Sequence, residues 1–161
     1  MQYLERWCTR VNQLAAWVAG GSLALMMFLS VFNIVFRAFG NPFGGTAEVV
    51  GWLAALTAAL ALGYTQLFRG HVAIDLLVRR FPERAQRLTD FCICLVSAAL
   101  FAAAAWRTSI YADRIRAVGL LSETMHLPFF LFIYIVAGGL GLLSLTLVVD
   151  ALKVLKGGST K

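Results

Sequence analysis

The sequence predicts an all-α integral membrane protein: four transmembrane helices, N and C termini cytoplasmic, and a short amphipathic segment in the loop between the second and third helices. Three observations carry this. Of 161 residues, 60% are apolar and only 14% charged, more apolar surface than so small a soluble domain can hide behind so little charge. The charges gather in a few short stretches and leave four long segments almost bare, as expected where a charge at membrane depth is costly. Lys and Arg also divide unevenly between the two sides that these segments define. One side holds Arg6, Arg10, Arg69, Arg79, Arg80, Arg84, Arg87, Lys153, Lys156 and Lys161, the other Arg37, Arg107, Arg114 and Arg116, ten against four. The positive-inside rule makes the richer side cytoplasmic. The chain therefore reads as a single four-helix membrane domain over residues 1–161, with spans near residues 11–36, 49–68, 88–110 and 127–149.

The first span is uncharged between Arg10 and Arg37, long enough to cross a hydrocarbon core of about 30 Å with some tilt. It is too long for the apolar region of a secretory signal, and no convincing small-residue cleavage site follows it, so it reads as a retained helix. Gly40, Asn41, Pro42, Gly44 and Gly45 make a turn, after which Thr46 is placed to cap a second helix with Glu48 in its first turn. That helix is uncharged over residues 49–68. The third begins near Pro82, a residue suited to the first helical position. Its uncharged section, residues 91–106, is short for a span. Continuing the helix at both ends, with Arg84 and Arg87 below and Arg107 above reaching outward to the interfaces, removes that difficulty. The fourth runs from about Leu127 to Val149, with Pro128 at its start and Asp150, Lys153 and Lys156 after it.

The net charge of +6 does not point to nucleic acid, because the basic residues flank the apolar segments and form no separate basic domain. Cys8, Cys92 and Cys94 read as small apolar fillers; the close pair is Cys-x-Cys inside an apolar helix, and no metal set or redox compartment follows from them. Gly51, Ala55, Ala59 and Gly63 recur every four residues on the second helix and would let another helix approach closely. Ala98, Ala102 and Ala105 on the third helix, and Gly138, Gly141 and Ser144 on the fourth, offer similar, less regular faces. These surfaces suit a compact bundle or docking onto another subunit.

Motifs for chemistry are sparse. Residues 40–45 have no following Lys, so they do not form a phosphate-cradling loop. His71 and His126 stand at span ends, where they do not supply haem ligands between helices. No Ser, His and carboxylate set points to a nucleophile, so the chain reads as non-enzymatic and without a cofactor. Ser30, Asn33 and Arg37 share one face of the first helix near the outer leaflet. They form either a polar seam toward a partner or solute path, or an interfacial Arg supported by local polar groups. Glu48 suits the dipole at its helix N-terminus, which by itself accounts for its place. In the loop from Arg69 to Pro82, a helical arrangement sets His71 one turn from Asp75 and Asp75 one turn from Arg79, with Val72, Leu76 and Val78 on a partly apolar side. Such a segment would lie along the cytoplasmic membrane surface. An ordinary basic inside loop explains the arginines equally well, but not His71 and Asp75.

The run Arg69-Gly70-His71, followed by Asp75, Leu76, Leu77 and Pro82, resembles the loop between the second and third helices in the small membrane subunit of tripartite ATP-independent periplasmic (TRAP) transporters. Glu48 stands where that family places an acidic residue at the start of its second helix, and Leu127-Pro128 opens the fourth helix as in the family. Length, four spans and orientation fit too, so the resemblance covers nearly the whole chain. One departure is that members often carry two adjacent acidic residues where this chain has Ala47-Glu48-Val49, which puts any role for a carboxylate pair in doubt. The resemblance implies a subunit of a three-component, sodium-driven importer of organic acids in the bacterial inner membrane. Its partners would be a large membrane subunit that moves the cargo by an elevator motion, a periplasmic substrate-binding protein that it helps to dock, and membrane lipids. A second class, the membrane anchor of an electron-transfer complex, would require buried His ligands.

Overall fold

The computed structural model describes residues 2–41, 43–67 and 83–155. They form four helices, α1 (Gln2–Ala38), α2 (Thr46–Leu67), α3 (Glu83–Val118) and α4 (Phe130–Leu155), and no strand among the described residues. All four are long and apolar enough to cross a membrane. A helix satisfies its backbone polar groups within itself, the condition set by a solvent that offers no hydrogen bonds. At 1.5 Å per residue, the 37 residues of α1 and 36 of α3 each extend more than about 50 Å. Both exceed the hydrocarbon thickness, so they tilt or run past it.

The helix ends are set by local chemistry. Gly40 and Gly119 take left-handed backbone conformations, φ 79° and 67°, at the close of α1 and α3. At each, the residue after the glycine donates back five positions, Asn41 to the Phe36 carbonyl and Leu120 to the Ile115 carbonyl, while the glycine itself bonds three back. This is the Schellman closure, which favours glycine for want of a Cβ. At the start of α2, the Gly45 carbonyl accepts from Val49 N–H at 3.2 Å, making Gly45 the capping position. The Thr46 hydroxyl, expected to cap, instead donates to the Phe43 carbonyl at 2.9 Å and tightens the turn before the helix. Helix α4 begins at Phe130, two residues after Pro128.

The helices stand in an open row rather than a closed bundle. α1 packs on α2, α2 on α4, and α4 on α3, while α1 reaches α4 at one end only. The spatial order is thus α1, α2, α4, α3. Packing is densest where α3 and α4 meet, around Leu143, Leu147 and Ala98, with Leu62 and Phe101 against them. The two edge helices keep large apolar side chains outside: Trp17 on α1 is 82% exposed and Val96 on α3 is 66%. These edges face lipid or another protein, since water would not tolerate them in such number.

Candidate functional site

The loop end of the row, where the α1–α2 and α3–α4 connections lie, is organised by one carboxylate. Glu48, in the first turn of α2, points across to the α3–α4 loop. One of its oxygens accepts from the Ser122 hydroxyl, and the other accepts from the Thr124 N–H at 3.1 Å and the Thr124 hydroxyl at 3.2 Å. Bonds to an ionised acceptor are stronger than neutral ones, and a carboxylate has capacity for all three donors. Ser122 is buried. It is held further by its N–H to the Leu127 carbonyl at 3.0 Å, and its Oγ accepts the Met125 N–H at 3.3 Å. Its carbonyl accepts from His126 N–H at 3.1 Å, and His126 takes the left-handed conformation, φ 54°, that closes this turn.

The other loop is fastened to the same assembly. A Cβ on Gly45 would stand 2.7 Å from Met125 Sδ, so the Met125 side chain packs directly on the backbone of the α1–α2 loop there. Trp52 stacks on Phe129 and Phe132, with ring centroids 6.1 and 5.2 Å away. From α1, Asn33 Oδ1 accepts the Phe43 N–H at 3.0 Å. The arrangement is a platform in which the two loops are tied together, and its chemistry is that of acceptance and packing.

Of the proposed seam, Ser30 donates to the Met26 carbonyl of its own helix at 2.8 Å, Asn33 holds the α1–α2 loop, and Arg37 is exposed at the helix end. The three share a face without bonding one another. The small-residue stripe on α2 divides in two: Ala59 and Gly63 are buried, Gly51 and Ala55 exposed. Four residues turn a helix by 400°, so the stripe drifts about 40° per step and does not face a single neighbour along its length. Gly63 meets Asn12 of α1, and a Cβ on Gly139 of α4 would stand 2.7 Å from the Ala59 carbonyl oxygen. Arg69, His71, Asp75 and Pro82, with the amphipathic segment, lie outside the described residues.

Sequence reading missed a set of polar contacts between helices. Asn12, fully buried, donates from Nδ2 to the Cys8 carbonyl at 2.9 Å and to Thr146 Oγ1 of α4 at 3.0 Å, while its Oδ1 has no hydrogen-bond partner. That oxygen occupies the place where a Cβ on Gly63 would be. Cys8 Sγ lies 3.4 Å from Thr146 Oγ1, so this cysteine is part of a polar contact as well as a filler. Ser22 bonds Thr57 at 2.6 Å between α1 and α2, and Gln66 donates to Asp150 at 3.2 Å between α2 and α4. Ser144 donates to the Ala98 carbonyl at 2.9 Å, and Tyr134 donates to Asp113, both between α4 and α3. The available signal was the placement of single polar residues inside apolar runs, which names neither partner nor face. Among the described residues, no group of three or more His, Cys, Asp or Glu is placed to hold a metal.

The family model for "Tripartite ATP-independent periplasmic transporters, DctQ component" matches residues 26–157, which include the Glu48 platform and α2 to α4. No curated protein and no solved structure matches this chain.

Proposed function

The chain belongs to the DctQ component family of tripartite ATP-independent periplasmic transporters, and from that premise we propose that it is the non-catalytic small permease subunit of a sodium-driven importer of organic acids. In this reading it lies in the bacterial inner membrane with both termini cytoplasmic, and it scaffolds the large elevator-type subunit. The observation that supports a scaffold is the use of polar groups within the spans. Asn12, Ser22, Thr57, Gln66, Ser144 and Tyr134 each bond across to a neighbouring helix. Such bonds fix helix positions in a solvent that offers no hydrogen bonds of its own. The outward halves of the small-residue faces, Gly51 and Ala55 on α2 and Gly138 on α4, with no heavy atom near a Cβ on either glycine, leave room for another helix. The platform at the loop end, held by Glu48, would present a fixed surface to the periplasmic binding protein.

The family assignment carries no support for an electron-transfer anchor. The one described histidine, His126, stands in a loop rather than between helices. The test of the main reading is uptake into proteoliposomes containing the large subunit, the binding protein and this chain, with dicarboxylates and other organic acids offered against an imposed sodium gradient. Uptake that requires all three components and the gradient is the expected result. Equal uptake without this chain would refute the subunit role, and uptake indifferent to sodium would refute the coupling ion.

A further inference from the structure

Helix α3 carries charge where a lipid-facing helix should not. Its uncharged section, residues 91–106, extends about 24 Å at 1.5 Å per residue. Arg107 follows, and the helix continues to Val118 instead of ending at an interface. Two contacts set the level of Arg107 against α4. Ala98 is bonded by Ser144, and Asp113 by Tyr134. Arg107 lies nine residues past Ala98 and six short of Asp113, so interpolation places it near Gly138. That is about 12 Å along α4 from Phe130, where the apolar run of α4 begins. Arg107 is exposed, and it makes no hydrogen bond, ion pair or ring contact with any described residue. Asp113 on the same helix is engaged by Tyr134, and Glu48 on α2 by Ser122 and Thr124.

An unpaired guanidinium at that depth is costly in lipid, and a charge within a span faces a partner group or a water-filled cavity. Snorkelling would carry it up the same face toward Arg114. Seven residues turn a helix by 700°, which brings Arg114 within about 20° of Arg107, a like charge already nearer the headgroups. The surface around Arg107 also admits a close neighbour. Residues 102–105 are all alanine, and Ala103, one turn below Arg107, is exposed, with Leu100 and Val96 exposed beneath it. Small residues at that level let a second helix approach closely enough for a short acidic side chain to reach the guanidinium.

We propose that the outward face of α3, centred on Arg107 and Ala103, docks a helix of the large membrane subunit, and that a carboxylate of that helix pairs with Arg107 inside the bilayer. A protein carboxylate fits better than a lipid phosphate because phosphates stay at headgroup level, within reach of Arg114. The proposal rests on the subunit role proposed above and specifies the face that serves it.

The test is recovery of the complex from membranes in which this chain is co-expressed with an affinity-tagged large subunit. Arg107→Glu should lower recovery by at least about tenfold, as expected for reversing one member of a desolvated ion pair. Arg107→Leu should lower it less, and Arg114→Glu should leave it near wild type. A photoreactive residue at position 103 of an otherwise wild-type chain should cross-link to the large subunit, which keeps the proposal testable if Arg107→Glu fails to fold. Undiminished recovery of Arg107→Glu, or cross-links from position 103 to lipid or to a second copy of this chain alone, would overturn it. Failure of the wild-type chain to co-purify would instead overturn the subunit role, and the proposal with it.

Discussion

Gly63→Ala is the smallest change that should disturb the packing of α1 against both its neighbours. The added methyl would occupy the position of Asn12 Oδ1, and Asn12 is fully buried, so its side chain cannot turn out into solvent. Either α1 and α2 separate or Asn12 rotates and gives up its 3.0 Å bond to Thr146. Overpacking a tight interior costs about 1–3 kcal/mol, and a lost interhelical bond in a membrane protein averages about 0.6 kcal/mol. Against these stands the gain of replacing a helical glycine by alanine, about 0.5–1 kcal/mol. The net expectation is a loss of about 1 kcal/mol and at most about 2.5, the overpacking cost less the propensity gain. Gly51→Ala and Gly138→Ala have no heavy atom within 4 Å of the new methyl, so the propensity gain stands alone and both should be neutral or slightly stabilising. The assay is reversible unfolding in detergent, with Asn12→Ala added to complete a double-mutant cycle. Removing Asn12 should recover much of the loss, a coupling of about 1 kcal/mol or more. If Gly63→Ala is as stable as wild type, or if Asn12→Ala and Gly63→Ala are additive, the contact does not govern this packing.

Further outcomes follow from the same structure. Glu48→Ala removes three acceptor bonds at once, so the amides of Thr124 and Met125 should exchange hydrogen severalfold faster, with Glu48→Gln intermediate; unchanged exchange would show that the loop holds its shape without the carboxylate. In a variant lacking native cysteines, a cysteine at Gly44 or Leu120 should react with an impermeant reagent added outside intact cells, and one at Glu83 should not; the reverse pattern would invert the topology read from the Lys and Arg count. His71→Ala and Asp75→Ala should reduce uptake by reducing assembled complex, with apparent affinities for substrate and sodium retained. Uptake normalised to assembled complex decides this, and an altered sodium dependence at normal assembly would place the loop on the coupling path.

What the sequence could state about this protein is what depends on neighbours along the chain. Each span announces itself because the bilayer acts on a helix residue by residue, rewarding apolar side chains and penalising charge. The four helices and the all-α class were legible for that reason, and the family was legible from Arg69 to Pro82, Glu48 and Leu127-Pro128. The tertiary structure decided which faces meet. The order α1, α2, α4, α3 does not follow from hydropathy, because lipid and a neighbouring helix are almost equally apolar. Glu48 looked sufficient as a dipole partner until the α3–α4 loop, more than seventy residues later, supplied Ser122 and Thr124. Asn12 is a polar residue two positions after Arg10, and only the packing of α1 against α4 and α2 placed its amide on Thr146 and its oxygen over Gly63. Likewise Arg107 read as the outer flank of a span. Its level against α4 came only from the Ser144–Ala98 and Tyr134–Asp113 contacts, because position across a membrane depends on how neighbouring helices hold a span, which sequence spacing does not set.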